Sequence, residues 1–380
     1  MTPSRWSAQW SSVSICAVMI VGIVGVLVAG LQPQLLGALA REGRLSDTQL
    51  GLTATIELLA MGLAAGGTGL LIKPVRLRTS TFGATIVIIL ADCATPSLSG
   101  GEIMLARIVA GLASGMLIWI TIGLIARTAM PERWAGIYLM TQTLAQFGVA
   151  TILASVIPVS GAHGAFLTLG AISLMALLCL PFLPRAYPPL ERGEETTPLP
   201  PPAGLAALAS VLIYLAFVVG IWVYLEPLAI QGGIDSGAVA LAVPIGLAAQ
   251  VAGALLATLI VGRIKALGVV LVVAIVNIAL LAIFGGGPTA PMFLVATGLF
   301  GFLWMFIMPF QLELVITADP TRRAATLIGG AQLIGSSLGP LFASLLVGEK
   351  QVGNVLWMGA ACILASSLIV VGLQFQRRGA

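Results

Sequence analysis

Three ionisable residues, Glu57, Asp92 and Arg107, stand inside apolar stretches long enough to cross a bilayer. A charge at the centre of such a helix costs about 2.5–3.5 kcal/mol on insertion scales, which makes it a functional candidate by default. Counted along helices at about 1.5 Å per residue, Glu57 falls roughly 12 Å and Arg107 roughly 8 Å below one membrane face, with Asp92 at a depth similar to Arg107. The three can meet as one cluster. Arg107 then pairs with one carboxylate and the other is left to take up a proton, since nearby charge and partial burial set when a carboxylate ionises. A static Asp92–Arg107 pair tying two helices together is the plainer alternative.

Further polar candidates are sparser. Glu226 precedes Pro227 near the end of the seventh apolar stretch, and Glu313 lies near the end of the tenth. Gln32, Gln142, Gln146, Gln250, Gln311 and Gln332 are amides within apolar segments, suited either to a polar cavity or to bonding neighbouring helices. His163 reads as a solvated turn residue in Ser160-Gly-Ala-His-Gly164. The tenth stretch carries Phe300, Phe302, Trp304, Met305, Phe306, Met308 and Phe310, and the seventh carries Tyr214, Phe217, Trp222 and Tyr224. Such stripes pack helices or face lipid, and they also suit contact with an apolar or aromatic molecule. Cys16, Cys93, Cys179 and Cys362 show neither metal spacing nor a disulfide framework. No nucleotide loop or His-Glu-x-x-His element is present, so no metal, no cofactor and no enzyme chemistry is expected.

The elements that position these residues follow from composition. Charged residues make up 8% of the 380 and apolar residues 59%, whereas a soluble domain carries about 25% charged residues. Twelve apolar stretches run between Val13 and Phe375. We place them near residues 13–36, 49–72, 80–97, 102–128, 135–159, 165–184, 204–229, 237–262, 267–285, 290–317, 324–347 and 355–374. Helices are required, since an open strand leaves backbone groups unsatisfied in lipid. The first stretch is longer than a signal-peptide core of roughly 7–15 residues, so it is expected to be retained.

The eighteen basic residues fix the orientation. With the N-terminus inside, fourteen fall on inner segments and three, Arg41, Arg44 and Lys350, on outer turns; the remaining one is Arg107. Inner loops retain Lys and Arg because these are hard to translocate. Both termini are therefore expected inside an integral multi-pass protein of a bacterial inner (plasma) membrane. The net charge of +4 is spread over separate loops, which gives no nucleic-acid-binding patch.

Residues 185–203, rich in Pro and charge, form a linker between residues 1–184 and 204–380, six spans each. The halves echo one another. Pro131-Glu132-Arg133-Trp134-Ala135 follows span 4, and Pro320-Thr321-Arg322-Arg323-Ala324 follows span 10, at a shift of 189 residues. Arg76 meets Lys265 at the same shift, and Gln32-Pro33 parallels Glu226-Pro227. Duplicated six-helix units of this kind place a site between two halves.

With these features the chain resembles the major facilitator superfamily over essentially its whole length. Arg107-x-x-x-Gly111-x-x-x-Gly115 is similar to the family's element in span 4. The loop after span 2, Gly69 to Arg78, keeps a leading Gly and a basic end but has Lys73 where the family has an acidic residue. The antiporter-type Gly-x-x-x-Gly-Pro motif is absent from span 5.

The resemblance implies two pseudo-symmetric six-helix bundles and transport by alternating access. Spans 1, 4, 7 and 10 would line the cavity and spans 2, 5, 8 and 11 would form the contact between halves; the substrate-cavity candidates are Gln32, Tyr224, Glu226, Trp304 and Gln311 on the former and Gln142 and Gln146 on span 5. Lys73, Arg76, Arg78, Arg133, Arg263, Lys265, Asp319, Arg322 and Arg323 would act in the gating loops. The expected function is secondary transport of a small organic solute, hydrophobic or aromatic, with protons coupled through Glu57, Asp92 and Arg107 and export as the preferred direction. The alternatives are uptake or facilitated diffusion of a metabolite, or a non-transporting polytopic sensor or assembly protein. The expected partners are the solute, protons and the bilayer, and the two-bundle plan works as a monomer.

Overall fold

The computed structural model describes residues 10–71, 75–128, 131–188, 200–319, 323–347 and 351–379. Lys73, Arg322 and linker residues 189–199 lie outside the described residues, as do the side chains of Arg133 and Arg323.

Among the described residues the protein is all-α. The helices are α1 (Ser12–Arg41), α2 (Asp47–Leu71), α3 (Leu77–Ala94), α4 (Gly101–Ile125), α5 (Pro131–Leu178), α6 (Pro202–Val223), α7 (Leu225–Gln231), α8 (Ser236–Ile260), α9 (Ala266–Gly285), α10 (Ala290–Ala318), α11 (Arg323–Leu346) and α12 (Asn354–Gly379). Ten described helices are long and apolar enough to cross a membrane. The 48-residue α5 holds two spans, and α11, richer in Gly and Ser, completes twelve.

Two expected boundaries change. The turn expected at residues 160–164 shrinks to a kink within α5, where Gly161 takes φ 60° and ψ −154°. That conformation is open essentially to glycine alone, so the kink falls at Gly161. His163 follows the kink and is exposed. The seventh span ends at Val223 rather than 229: Tyr224 leaves helical geometry, and the chain restarts as the short α7. At 22 residues, α6 rises about 33 Å, enough to cross a core of about 30 Å, so α7 lies beyond the span.

The chain forms two compact units. The first comprises Met1–Leu31, Ile56–Val149 and Val156–Glu194. In it α4 packs on α2 through Gly111 and Gly115, where an added Cβ would strike Glu57 O and Met61 O of α2. Small residues permit this approach of two membrane helices. Thr121 of α4 donates to Val18 O of α1, and Tyr138 of α5 donates to Gly22 O. At the end of the unit, Arg78 donates to Leu183 O and Pro181 O, and Leu77 N donates to Arg185 O. Arg127 lies 5.1 Å over the Tyr187 ring and donates to Pro188 O, while the Tyr187 hydroxyl donates to Ile120 O. These bonds fasten residues 181–188 to the ends of α3 and α4.

The second unit comprises Gln32–Thr55, Ala150–Ser155 and Glu195–Ala380. Its core is aromatic: Phe217 of α6 meets Phe300 of α10 edge-on at 5.7 Å, and Trp222 meets Trp304 at 5.8 Å. The end of α1, the turn after it and the start of α2, residues 32–55, belong to this unit, where polar bonds hold them. Gln34 donates to Ala150 O and Ala240 O, Tyr224 donates to Asp47 O, and Thr48 donates to Val347 O.

Candidate functional site

Glu57, Asp92 and Arg107 come together in the first unit, each from a different helix. Arg107 Nη1 lies 3.2 Å from Glu57 Oε1, and Nη2 lies 2.8 Å from Asp92 Oδ1. All three side chains are 1% exposed. The guanidinium therefore bonds both carboxylates, where the sequence suggested one. The local causes are visible: Gly111, one turn along α4 from Arg107, lets the α2 backbone approach at Glu57, and the ring of Phe166 in α5 covers the guanidinium at 5.2 Å. A cation over an aromatic face in a dry site gains further stabilisation.

Beside the cluster is a cavity of about 10 Å³, lined by Glu57, Asp92, Arg107, Ser114 and Ser173 among others. That is about the room one water needs. It is too small for an organic molecule. Among the described residues, Arg107 Nε and Asp92 Oδ2 are buried without a hydrogen-bond partner.

The cavity candidates are divided between the two units. In the first unit Gln146 is buried and donates to Val26 O, and Gln142 is half-buried. In the second, Gln32 is buried and donates to Ala54 O, Gln311 is buried, and Trp304 is half-buried. Tyr224 is fully buried, its hydroxyl held by Asp47 O. Of the loop candidates, Arg76 is exposed with φ 61°, the left-handed region, just before α3. Arg263 and Lys265 are exposed. Asp319 is buried and accepts from Ala324 N. Arg78 caps the carbonyls at the end of the first unit, as described above.

One ion pair is not foreseen in the sequence. Arg41, counted there only as a turn cation, lies 3.2 Å from Glu226 Oε1, and Glu226 is 6% exposed. Gly37 makes room for the carboxylate, since a Cβ there would strike it. Burial pushes the Glu226 carboxyl up to about 8, with Arg41 partly opposing. The pair borders a cavity of about 270 Å³ that also includes Asp47, Pro227 and Gln231. The available signal was positional: both residues lie at the same ends of spans 1 and 7, the spans that carry the parallel Gln32-Pro33 and Glu226-Pro227.

Residues 10–344 match the Major Facilitator Superfamily, and the chain belongs to that family of membrane transporters. It is therefore an integral membrane transporter that moves small solutes by alternating access, and it is not an enzyme. Solved structures with similar folds include a D-xylose-proton symporter, at 15% identity and TM-score 0.68, covering 94% of this chain and 95% of that one. The nucleoside transporter NupG matches at 12% identity and TM-score 0.72, over 94% of this chain and 99% of that one. A structure concerned with substrate recognition in proton dependent oligopeptide transporters matches at 11% identity and TM-score 0.71, over 97% and 99%.

Proposed function

We propose that the chain is a proton-coupled secondary transporter of a small organic solute, with Glu57, Asp92 and Arg107 carrying the coupling. The observation behind this reading is the dry two-carboxylate bridge to Arg107, at 3.2 and 2.8 Å. With both carboxylates ionised, one guanidinium leaves the cluster one negative charge in excess. One proton on either carboxylate makes it neutral. The proton would weaken one of the two bridges and so loosen α2 or α3 from α4. Buried charges are costly unless matched, so protonation and helix packing are tied together. Two of the three similar structures carry the word proton in their descriptions, which agrees with this reading.

We infer an apolar or aromatic part in the solute. Phe302, Trp304 and Phe306 of α10 are half-buried, and Phe302 stacks on Phe306 at 5.3 Å. An aromatic surface of this kind accepts flat or hydrophobic molecules.

The proposed architecture is two pseudo-symmetric six-helix bundles, 1–184 and 204–380, joined by a linker at 185–203, with both ends inside. Helix contacts within each unit support the duplication. Gly111 of α4 abuts Glu57 O of α2, and Gly301 of α10 abuts Gly246 O of α8. Glu57 and Gly246 are 189 residues apart and Gly111 and Gly301 are 190 apart, the spacing of the sequence echoes.

The test is purified protein in liposomes holding a pH-sensitive dye, challenged with aromatic and amphipathic solutes. Solute-dependent proton flux supports the proposal, and its sign gives the direction. Solute movement with no proton flux removes the coupling role and leaves a facilitator.

A further inference from the structure

The second unit holds a larger cavity that the transport reading does not use. It measures about 630 Å³ and lies where α9 ends and α12 begins, lined by Ile278, Leu281, Ala282, Leu356, Trp357 and Ala360 among others. The volume falls within the roughly 300–1,000 Å³ of ordinary small-molecule sites. Its composition is graded. The apolar residues lie along the two helices, while Gln231, Gln351, Gly353 and Asn354 stand at one end. Among the described residues, none that line it is charged.

The surroundings identify the medium that reaches it. Val272 and Ile275 of α9 and Leu364 and Leu368 of α12, further along the same helices, are 57–70% exposed. In a membrane protein such surfaces face acyl chains. Trp357 is 78% exposed at the rim, and exposed tryptophan marks the level of the lipid headgroups. Ile278 lies seven residues from Gly285, and Ala360 six from Asn354, so the groove descends about 10 Å from the interface. That is roughly two thirds of the ~15 Å that one leaflet contributes to the hydrocarbon core.

We propose that this groove is a binding site for a glycerophospholipid. The upper part of one acyl chain lies between α9 and α12, and the ester and phosphate region sits against the amides of Gln351 and Asn354. The amide rim recognises the glycerol ester and phosphate groups common to all such lipids. Gly353 N donates to Gln231 Oε1, and Asn354 Nδ2 donates to Leu346 O, so the rim is held in place from within the unit. The site does not depend on the coupling proposal; on the proposed topology its leaflet is the outer one.

The test is photolabelling in phosphatidylcholine vesicles containing a trace of phosphatidylcholine with a diazirine on one acyl chain, with adducts mapped by mass spectrometry. We expect labelling at Ile278, Leu356 and Ala360 to exceed that at Val272 and Leu368 by about tenfold, equivalent to ~1.4 kcal/mol of preference. Ala282 is exposed within the groove, so Ala282→Trp should fill it and bring the ratio towards one, while Ile275→Trp, at an exposed position outside the lining, should leave it unchanged. Equal labelling of groove and general lipid-facing residues in the wild type overturns the proposal, whatever the variants do. Retention of the full ratio in a folded Ala282→Trp protein also overturns it. Replacing the probe with a phosphatidylglycerol analogue should give the same ratio; a requirement for the anionic probe contradicts recognition through the groups common to all such lipids.

Discussion

Arg107 reaches Glu57 at 3.2 Å because Gly111, one turn along α4, presents no side chain to the α2 backbone. The residue that holds the charge and the residue that admits its partner are therefore two parts of one element, Arg107-x-x-x-Gly111. Gly111→Ala would place a Cβ 2.5 Å from Glu57 O, and overpacking of this kind costs about 1–3 kcal/mol. Gly62, also in α2, has open space at its Cβ position. Thermal unfolding of the purified protein should show a loss for Gly111→Ala and none for Gly62→Ala.

Arg107→Ala leaves two carboxylates buried without their cation. Breaking a buried pair from one side costs about 3–5 kcal/mol, and transport should be lost even where the protein still inserts. Arg107→Lys should not restore it, since one ammonium cannot reproduce the forked contact with both carboxylates. Wild-type transport by either variant would remove Arg107 from the mechanism.

The Arg41–Glu226 pair predicts a pH dependence of stability. Because burial raises the folded-state value of Glu226 from 4.5 to about 8, the folded protein binds more protons than the unfolded chain between those values. This group's contribution is therefore fully present below about pH 4.5 and is lost as pH rises towards 8. The ionic contact with Arg41 forms only as the proton leaves, and it offsets part of that loss. The melting temperature should fall as pH rises through this window, and Glu226→Gln should flatten the fall.

Tyr187 fastens the end of the first unit by its hydroxyl bond to Ile120 O and its ring contact with Arg127. Tyr187→Ala should free residues 181–188 locally, without global unfolding, because segments with few remaining contacts open independently. A loss of ~1.4 kcal/mol corresponds to about tenfold faster tryptic cleavage at the exposed Arg185. An unchanged cleavage rate would show that the remaining bonds, from Arg78, Arg127 and Leu77 N, suffice to hold the segment.

The twelve spans and the charge cluster are legible in the sequence because lipid makes both conspicuous. Apolar length marks a span, and Glu57, Asp92 and Arg107 stand out against it at matching depth. What is not legible depends on which helix ends meet. Tyr224 reads as a cavity aromatic from its place in span 7, yet it is buried with its hydroxyl on Asp47 O, a bond between residues 177 positions apart. Arg41 and Glu226 likewise become partners only once the α1–α2 hairpin packs against α7. The break at Tyr224 is equally hidden, since the hydrophobic run continues through it and Pro227 suggests a bend further along.

Proton flux measured in liposomes for the wild type, Glu57→Gln and Asp92→Asn tests the central claim most directly. Coupling through the cluster predicts solute-driven proton flux in the wild type and its loss in at least one of the two variants, with solute exchange in that variant retained. Solute-driven proton flux that persists at the wild-type level in both variants would contradict the account and place the proton elsewhere.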